Sequence, residues 1–393
     1  MAKNKTFDDL EVRRPELAVS YLQLLAAQPG RPIALFAPRR VGKTHFLDRD
    51  LSPAAVIAGL LPVYADIWLH RASPLDAINH ALEEALDDIK VPGSASGKIA
   101  RTPVKGISAL SASLSFGDEP ARRNLPQAPE LRFDALIARL ASAAKKPIVL
   151  MLDEIQALGE TETGKVAIAT LRAVLQKRKA QVRAVFTGSS QDALSAMTVS
   201  AGAPMYQFTQ MLDFPYLDDA YLVLLADHFG EVHKGKRIDM NALRRVFAHI
   251  GFKPALMKDI VKEMSAEGIS DVDLGLRRFI ADERQVTGWQ AVLNGLDPVD
   301  QLVLIVLANG IPPTSKEALD TLARVRHADI TLSKVRTALA RMRKAGILSK
   351  PAAEYRIEDT LFADYIIRTA PLQTLIAPQK AALHTTRAPS RKR

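Results

Sequence analysis

The chain has 393 residues and carries 53 Lys and Arg against 43 Asp and Glu, a formal net charge of +10 at pH 7. This length allows two or three domains, and the absence of cysteine excludes disulfides, thiolate metal sites and cysteine nucleophiles. No apolar run reaches membrane-spanning length, and the first residues lack the apolar core of a signal peptide. We therefore expect a cytoplasmic protein with no membrane partner.

Hydrophobic periodicity predicts strands that alternate with helices through the first half of the chain. Strands are predicted at 31–37, 61–68, 146–154, 182–190 and 211–217. Helices are predicted at 16–27, at 74–89 behind a Ser73 cap with Pro74 in the first turn, and after 154 through roughly 180. Such alternation is typical of a parallel sheet that helices cover on both faces.

Residues 91–130 interrupt this alternation. Gly, Ser, Pro and basic residues surround "ALSASLSF" (109–116), which alternates like a strand. We interpret the segment as an insertion into the core. Beyond the last predicted strand the pattern is helical from about 218 to 284, and residues 297–368 form a third unit.

The stretch "APRRVGKTHFL" (37–47) follows a predicted buried strand and leads into a helix. This is the context of a phosphate-binding loop, in which backbone N–H groups converge at a helix start and a lysine reaches the outer phosphates. Lys43 would contact the β- and γ-phosphates, and the Thr44 hydroxyl would bind Mg²⁺. Ala37 stands where such loops usually begin with glycine; alanine is the smallest substitute and removes no ligand. The predicted nucleotide-binding residues are Ala37, Pro38, Arg39, Arg40, Val41, Gly42, Lys43, Thr44 and His45.

A second motif, "IVLMLDE" (148–154), places Asp153 and Glu154 at the end of a strand that is apolar throughout. Ligands of open parallel sheets bind at this edge. Asp153 would hold Mg²⁺ together with Thr44, and Glu154 would polarise the attacking water. The alternative is a buried strand that happens to end in two acids. The order and strand context of both motifs favour a functional ATP site.

These motifs resemble those of AAA+-related P-loop ATPases of the STAND and archaeal-ATPase kind. "VRRPEL" (12–17) is similar to the segment that leads into the adenine pocket of that group, and "VFTGSS" (185–190) to its sensor 1 strand. "GFKPAL" (251–256) resembles the Gly-x-Pro motif of its helical lid, and "AGILSKPAAEYRIEDTLFADYII" (345–367) its closing winged helix. The resemblance covers roughly residues 7–368, and only the loop and "LMLDE" are specific.

The resemblance implies an ATP-dependent switch or motor of the α/β class: a parallel-sheet P-loop core, a helical lid and a C-terminal winged-helix domain. The expected boundaries are 1–217 for the core with its 91–130 insertion, 218–290 for the lid, 291–369 for the winged helix and 370–393 for a basic disordered tail. Thr187 becomes the sensor 1 polar group, a third catalytic residue beside Lys43 and Glu154. Ser189 is the next candidate, and a plain turn after the strand is the alternative. Lys253 lies where the lid would approach the γ-phosphate, but we interpret it as a surface lysine.

One departure from the AAA+ pattern concerns the arginine finger. Residues 189–210 contain neither Arg nor Lys, and a finger can be worth about 10³–10⁵ in rate, so we expect slow basal turnover. Arg39 or Arg40 could replace it in cis, unless they are a solvated loop edge. A neighbour in a homo-oligomer could supply a cation from the cluster Lys177, Arg178, Lys179 and Arg183. The alternative for this cluster is a solvated helix end, where cations are favoured anyway.

The segment "DITLSKVRTALARMRKAGIL" (329–348) predicts a helix that begins at Thr331 and ends at Gly346. Its apolar stripe would face a core through Leu332, Val335, Leu339 and Met342. Outside the stripe lie Lys334, Arg336, Arg341, Arg343 and Lys344. "ILSKPAAEYRIED" then resembles a two-stranded wing. The basic helix could enter a DNA groove, or the domain could pack against protein.

Two further basic regions bear on the partner. Half of the excess charge lies in the tail 370–393, which has five basic residues and no acid. The insertion adds Lys98, Arg101, Lys105, Arg122 and Arg123. We therefore expect a DNA-associated ATPase such as a loader, a remodeller, or a mobile-element or defence component. The alternative is a STAND-type signalling switch whose winged helix makes protein contacts.

Overall fold

The computed structural model describes residues 6–91, 124–189, 197, 205–324, 330–350 and 354–371. The predicted strand at 109–116 and the basic residues of the insertion and tail therefore lie outside the described residues. The chain divides into two compact units, 1–276 and 277–393. Among the described helices, none combines the length and apolarity that crossing a membrane requires.

The first unit contains a five-stranded sheet and the helices that flank it. In chain order its core elements are α1 (Pro15–Ala27), β1 (Ile33–Phe36), α2 (Lys43–Phe46), a π-helical turn (Leu47–Leu51), α3 (Ser52–Ile57), β2 (Leu61–Asp66), a 3-10 turn (Ile67–His70), α4 (Pro74–Lys90), α5 (Pro129–Ala144), β3 (Ile148–Asp153), a 3-10 turn (Ile155–Glu160), α6 (Glu162–Lys177), β4 (Val182–Gly188) and β5 (Gln210–Asp213).

All five strands are parallel, in the order β2-β3-β4-β1-β5. Every residue of β3 and β4 is buried, as expected for central strands with helices on both faces. The parallel arrangement brings the carboxyl ends of the strands to one edge, where Phe36, Asp66 and Asp153 end β1, β2 and β3. This confirms the predicted parallel sheet, and it is the edge at which open α/β sheets bind ligands.

The alternation of side chains along the central strands produces one apolar layer on each face. On one face Leu150, Ala184 and Phe186 pack in a layer with residues of α4, α5 and α6. On the other, Met151 and Val185 pack in a layer with residues of α1 and α3. Because both faces are buried, the register of the strands is fixed and the position of their polar ends with it.

Two helices of the first unit begin in different ways. Ser73 occupies the N-cap position of α4 with Pro74 following, but its side chain makes no capping bond, so the predicted Ser73 cap is wrong in that respect. The Thr161 hydroxyl, in contrast, accepts a bond of 3.0 Å from the Gly164 N–H and caps α6. Such a cap stabilises a helix by about 1 kcal/mol.

Four helices follow the sheet: α7 (Asp219–Val232), α8 (Met240–His249), α9 (Pro254–Glu267) and α10 (Val272–Ala281). The first three pack through buried apolar residues, among them Leu225, Phe247 and Ile260. Capping carboxylates fix the starts of α7 and α8, where Asp218 and Asp239 accept from backbone N–H groups. The predicted helical stretch after the sheet is confirmed.

The second unit comprises α11 (Glu283–Asn294), α12 (Pro298–Ala308), α13 (Lys316–Arg324), α14 (Leu332–Lys344), β6 (Leu348–Ser349), β7 (Arg356–Ile357) and α15 (Thr360–Thr369). The Thr331 side chain accepts from the Lys334 N–H, so α14 begins where the sequence predicts. Val335, Leu339 and Met342 are fully buried. Strands β6 and β7 pair antiparallel, which agrees with the prediction of two strands after α14.

Candidate nucleotide-binding site

The loop between β1 and α2 lies at the carboxyl edge of the sheet. Positive φ angles occur at Arg40 (67°) and Gly42 (94°), whereas Ala37 has none. Ala37 is buried in the apolar layer beside α1 and α3. Alanine is therefore accommodated at the first loop position because the backbone there does not need glycine. Arg40, in contrast, is a residue with a side chain that adopts the left-handed conformation, which is unfavourable for residues other than glycine.

Lys43 is held inside the loop that precedes it. Its Nζ donates to the carbonyl oxygens of Ala37 (2.6 Å) and Pro38 (2.9 Å), and the side chain is only 5% exposed. The helix continues without a break from Lys43 through the π-helical turn to Ile57. The ammonium group therefore lies beneath the loop, at the point where backbone N–H groups of a helix start converge.

Asp153 accepts hydrogen bonds from one helix, two neighbouring strands and the backbone of the next residue. Its Oδ2 accepts from the Thr44 hydroxyl at 2.6 Å and from the Tyr64 hydroxyl at 3.2 Å. Its Oδ1 accepts from the Thr187 hydroxyl and from the Glu154 N–H. Burial, with Asp153 next to it, raises the pKa of Tyr64. The structure thus brings the two predicted metal ligands, Thr44 and Asp153, into direct contact.

Glu154 follows Asp153 in a left-handed conformation, with φ 55°. Its Oε2 accepts from the Ser189 hydroxyl at 2.8 Å and from the Gln156 side-chain amide. Ser189 in turn lies 3.3 Å from the Nε of Arg39. The two sensor candidates therefore divide between the two acids: Thr187 contacts Asp153, and Ser189 contacts Glu154.

A cavity of about 550 Å³ opens over the loop. Its loop side is lined by the predicted residues Arg39, Arg40, Val41, Gly42, Lys43, Thr44 and His45 together with Glu154. Leu10, Glu11, Val12 and Arg14 line it from the amino-terminal segment. From the side of the later helices it is lined by Leu217, which precedes α7, by Tyr221 of α7, and by Pro254, Ala255 and Lys258 of α9. The predicted residues Ala37 and Pro38 contribute carbonyls to Lys43 rather than cavity surface.

The charges around the cavity suit a polyanion. Five basic side chains line it, those of Arg14, Arg39, Arg40, Lys43 and Lys258, against the two carboxylates Glu11 and Glu154. Apolar side chains complete the end near α7 and α9. A pocket that combines basic with apolar side chains fits a ligand with a phosphate chain and an aromatic base.

One expectation about a basic residue is wrong, and two other basic residues are less exposed than the sequence suggests. Lys253 is not a surface lysine: it is 7% exposed and forms the N-cap position of α9. Arg178 forms a bidentate pair with Asp134, and Arg183 is 8% exposed. The supply of a cation from this cluster to a neighbouring molecule stays a prediction. In each case neighbouring helices or strands cover a basic side chain that the sequence suggests is exposed.

The basic face predicted on α14 is partly confirmed. Lys334, Arg336, Arg343 and Lys344 are exposed. Arg341 is not available in the same way, because its guanidinium donates to both carboxylate oxygens of Asp300 (3.0 and 2.6 Å) and lies 2.9 Å from Asp297. Asp300 is buried, so this pair joins α12 to α14.

Several site residues escaped sequence reasoning. Tyr64 and Gln156 contact the two acids, and Tyr221 and Lys258 line the cavity from the helices after the sheet. Tyr64 lies two residues before the end of β2, and only the strand order shows that β2 lies beside β3. Lys258 lies four residues after Pro254 of the predicted lid motif, and this proximity is the one feature of the sequence that could have indicated its place in the cavity.

No protein-family model and no curated protein sequence matches the chain. Solved structures do. A Walker-type ATPase of Pyrococcus abyssi aligns with a TM-score of 0.58 at 17% identity, over 91% of this chain and 96% of its own. The Orc1 protein of Aeropyrum pernix, solved in complex with DNA, gives 0.45 at 17% identity, over 93% and 94%. DnaA of Aquifex aeolicus, bound to AMPPCP, gives 0.36 at 14% identity, over 93% and 90%. The chain therefore shares the fold of the Walker-type ATPase of Pyrococcus abyssi.

Proposed function

We propose that this protein binds ATP with Mg²⁺ in the cavity over the loop and hydrolyses it. The observation that carries the proposal is the contact of the Thr44 hydroxyl with the Asp153 carboxylate, 2.6 Å apart, beside the buried Lys43. These three side chains come from two distant motifs and meet at the edge of the sheet where nucleotides bind in P-loop proteins. A buried strand that merely ends in acids would not place its first carboxylate on this threonine.

The residues present fit a magnesium ion. Thr44 Oγ1 and Asp153 Oδ2 are hard oxygen donors, the type that Mg²⁺ prefers, and few protein ligands suffice because the ion keeps waters and phosphate oxygens. When bound, the ion neutralises phosphate charge. The Thr187 and Tyr64 hydroxyls orient the Asp153 carboxylate by hydrogen bonding, which fixes its position before any ligand arrives.

Glu154 is the group that would take a proton from the attacking water. Its carboxylate lines the cavity, next to the strand that carries Asp153. Ser189 donates to this carboxylate and also contacts Arg39, so one hydroxyl links the proton acceptor to a basic side chain at the cavity wall. Among the described residues, Arg39 is thus the cation that hydrogen bonds connect most directly to this acceptor, and we propose it as the residue that partly replaces an arginine finger.

The helices after the sheet could couple nucleotide binding to a change in conformation. Tyr221, Pro254 and Lys258 line the same cavity as the loop residues, so a nucleotide bound there would contact sheet and helices at once. A ligand with contacts to both changes the equilibrium between open and closed arrangements. We therefore propose that α7–α10 act as a lid.

The test of the ATP site compares three variants in magnesium-dependent nucleotide binding and turnover. Lys43→Ala should abolish binding, because the outer phosphates lose their cation. Glu154→Gln should keep binding and lose turnover, since the amide retains the shape and cannot accept the proton. Lys146→Ala is the matched control, as Lys146 is equally buried but lies before β3 at the opposite edge. Wild-type affinity in Lys43→Ala would overturn the assignment.

The finer proposal is that the ATPase acts on DNA, with the exposed cations of α14 as the contact. Lys334, Arg336, Arg343 and Lys344 lie outside the buried stripe of this helix. The experiment is the ATPase rate with and without single- and double-stranded DNA at several salt concentrations. A DNA-stimulated rate that falls steeply with salt supports the proposal. Nucleotide-dependent assembly without any DNA effect would instead favour the signalling switch.

A further inference from the structure

A second pocket, of about 680 Å³, lies at the amino edge of the sheet, opposite the nucleotide site. Its lining includes Arg31 just before β1, Arg172 and Gln176 on α6, Lys179 before β4, and Tyr206 and Phe208 before β5. Three of these side chains are basic, and none of the described residues that line the pocket is acidic. The pocket is therefore a concentrated positive site that ATP binding does not use.

Two of the three basic side chains of the pocket, those of Arg31 and Lys179, have no carboxylate partner among the described residues. Lys177 and Arg178 are both neutralised by Asp134, at 2.7 and 2.8 Å. Lys179, one residue further, forms no ion pair with a described carboxylate, and Arg31 bonds only to the Gln28 side chain, at 2.9 Å. Asp134 thus neutralises Lys177 and Arg178, whereas Lys179 and Arg31 are left without a carboxylate in the part of the chain that the structure describes. These two cations can therefore bind an external anion.

Arg183 adds an independent observation. It is 8% exposed and lines a small void that shares Gly30 and Arg31 with the pocket. Its Nη1 donates to the Lys179 carbonyl at 3.2 Å, while its buried Nε has no acceptor among the described residues. No described carboxylate pairs with this guanidinium. A buried arginine without a counter-ion is costly, and the cost falls when an anion binds nearby.

We propose that this pocket binds phosphate groups of a nucleic-acid strand. Guanidinium groups bind phosphate oxygens through two parallel bonds, which suits Arg31 and Arg172, while Lys179 adds a point charge. Arg172 stacks over the Phe208 ring at 5.6 Å, which fixes its position in the pocket. The half-buried Tyr206 provides a ring beside the cations, as single-strand sites do for bases. A small phosphate compound would use the same chemistry, so the experiment separates the two sources.

The experiment measures binding of a labelled single-stranded oligonucleotide to the full chain by fluorescence anisotropy over a range of salt. The pocket variant is Arg31→Ala with Lys179→Ala, both exposed residues. Its matched control, Arg237→Ala with Lys165→Ala, removes one exposed arginine and one exposed lysine elsewhere in the same unit. We expect the pocket variant to lose roughly tenfold in affinity for each contact removed. Its log–log salt slope should become less steep by about 2. The control should match the wild type.

A second arm uses inorganic pyrophosphate and thermal unfolding, with the variant Arg183→Met. The nucleotide site is intact in every protein compared, so its own phosphate response cancels. If pyrophosphate raises Tm in the wild type but less in Arg183→Met and in the pocket variant, and displaces the oligonucleotide, the phosphate site stands and its ligand is small. Oligonucleotide binding that depends on the pocket but resists pyrophosphate identifies the strand. If both variants match the control in both assays, the pocket binds no phosphate and the proposal is overturned.

Discussion

Arg178 offers a direct test of whether the basic cluster after α6 serves its own chain or a neighbour. Its Nε lies 2.8 Å from Asp134 Oδ1 and its Nη2 2.9 Å from Oδ2. Lys177 contacts the same carboxylate at 2.7 Å but is 63% exposed, against 16% for Arg178. We predict that Arg178→Ala destabilises the first unit, and that Lys177→Ala, the matched control, does so much less.

The magnitude follows from the titration of Asp134. The bonds from Arg178 lower the pKa of Asp134 from 3.8 to about 2, against the effect of burial and with a further contribution from Lys177. Since a tenfold change in proton affinity is worth about 1.4 kcal/mol, the whole effect corresponds to about 2 kcal/mol. Solvent screening of this partly exposed carboxylate, and the share due to Lys177, reduce the part of Arg178 to about 1 kcal/mol at pH 7.

The assay is urea unfolding followed by the emission of Trp68 in a Trp289→Phe background, because the two tryptophans of the chain fall one in each unit. The folded-state pKa of Asp134 is depressed, so its contribution is complete above pH 3.8 and disappears as the pH falls through about 2. The difference between wild type and Arg178→Ala should shrink over that range. Equal stability at pH 7, together with a loss of turnover that depends on protein concentration, would refute the pairing within one chain and restore the role in a neighbour's site.

Three further predictions concern the nucleotide loop and its acid. Ala37→Gly should leave ATP affinity unchanged, because the residue has no positive φ and glycine only removes a methyl group; a large loss by calorimetry would show that the methyl group matters. Arg40→Gly should raise the free energy of unfolding by up to about 1 kcal/mol, since φ is 67°; Arg40→Ala removes the same charge and should give no such gain. Thr187→Val should cost about 1–2 kcal/mol, because buried Asp153 loses a donor. Thr209→Val, which loses only a weak contact to a methionine sulfur, is its control, and equal losses would deny Thr187 a special role.

The parts of the fold that sequence could predict are those governed by local pattern. The strand before the loop, the apolar strand of "IVLMLDE" and the threonine cap of α14 each depend on neighbours within a few positions, and all three are found. The contact between Thr44 and Asp153 could also be predicted, because each motif follows a strand and the parallel sheet brings the carboxyl ends of both strands to one edge. Strand topology carries this information even over a separation of 109 residues.

Side-chain environments depend on packing that no short pattern records. Arg178 finds Asp134, which is 44 residues away on another helix, and so becomes a structural residue. Lys253 is covered although its sequence neighbours suggest a turn. Backbone conformation in the loop could not be predicted either. Ala37 departs from the usual glycine yet has no positive φ, whereas Arg40, which matches no unusual pattern, has the left-handed backbone. Charge and burial, unlike periodicity, had to be read from the folded chain.

In the described arrangement each proposed catalytic group is already bound by the protein itself. Lys43 is held by two loop carbonyls, Thr44 by Asp153, and Glu154 by Ser189. Under the proposed function a nucleotide would replace some of these bonds, and part of its binding free energy would be spent on rearranging the edge of the sheet. Because Ser189 also holds Arg39, freeing Glu154 changes the surroundings of that arginine and of Trp68, whose ring lies 5.5 Å from it. The same nucleotide would contact α7 and α9 across the cavity. Under the proposed function we therefore expect the free and the nucleotide-bound arrangements to differ on both sides of the site, which is the condition for a ligand to act as a switch.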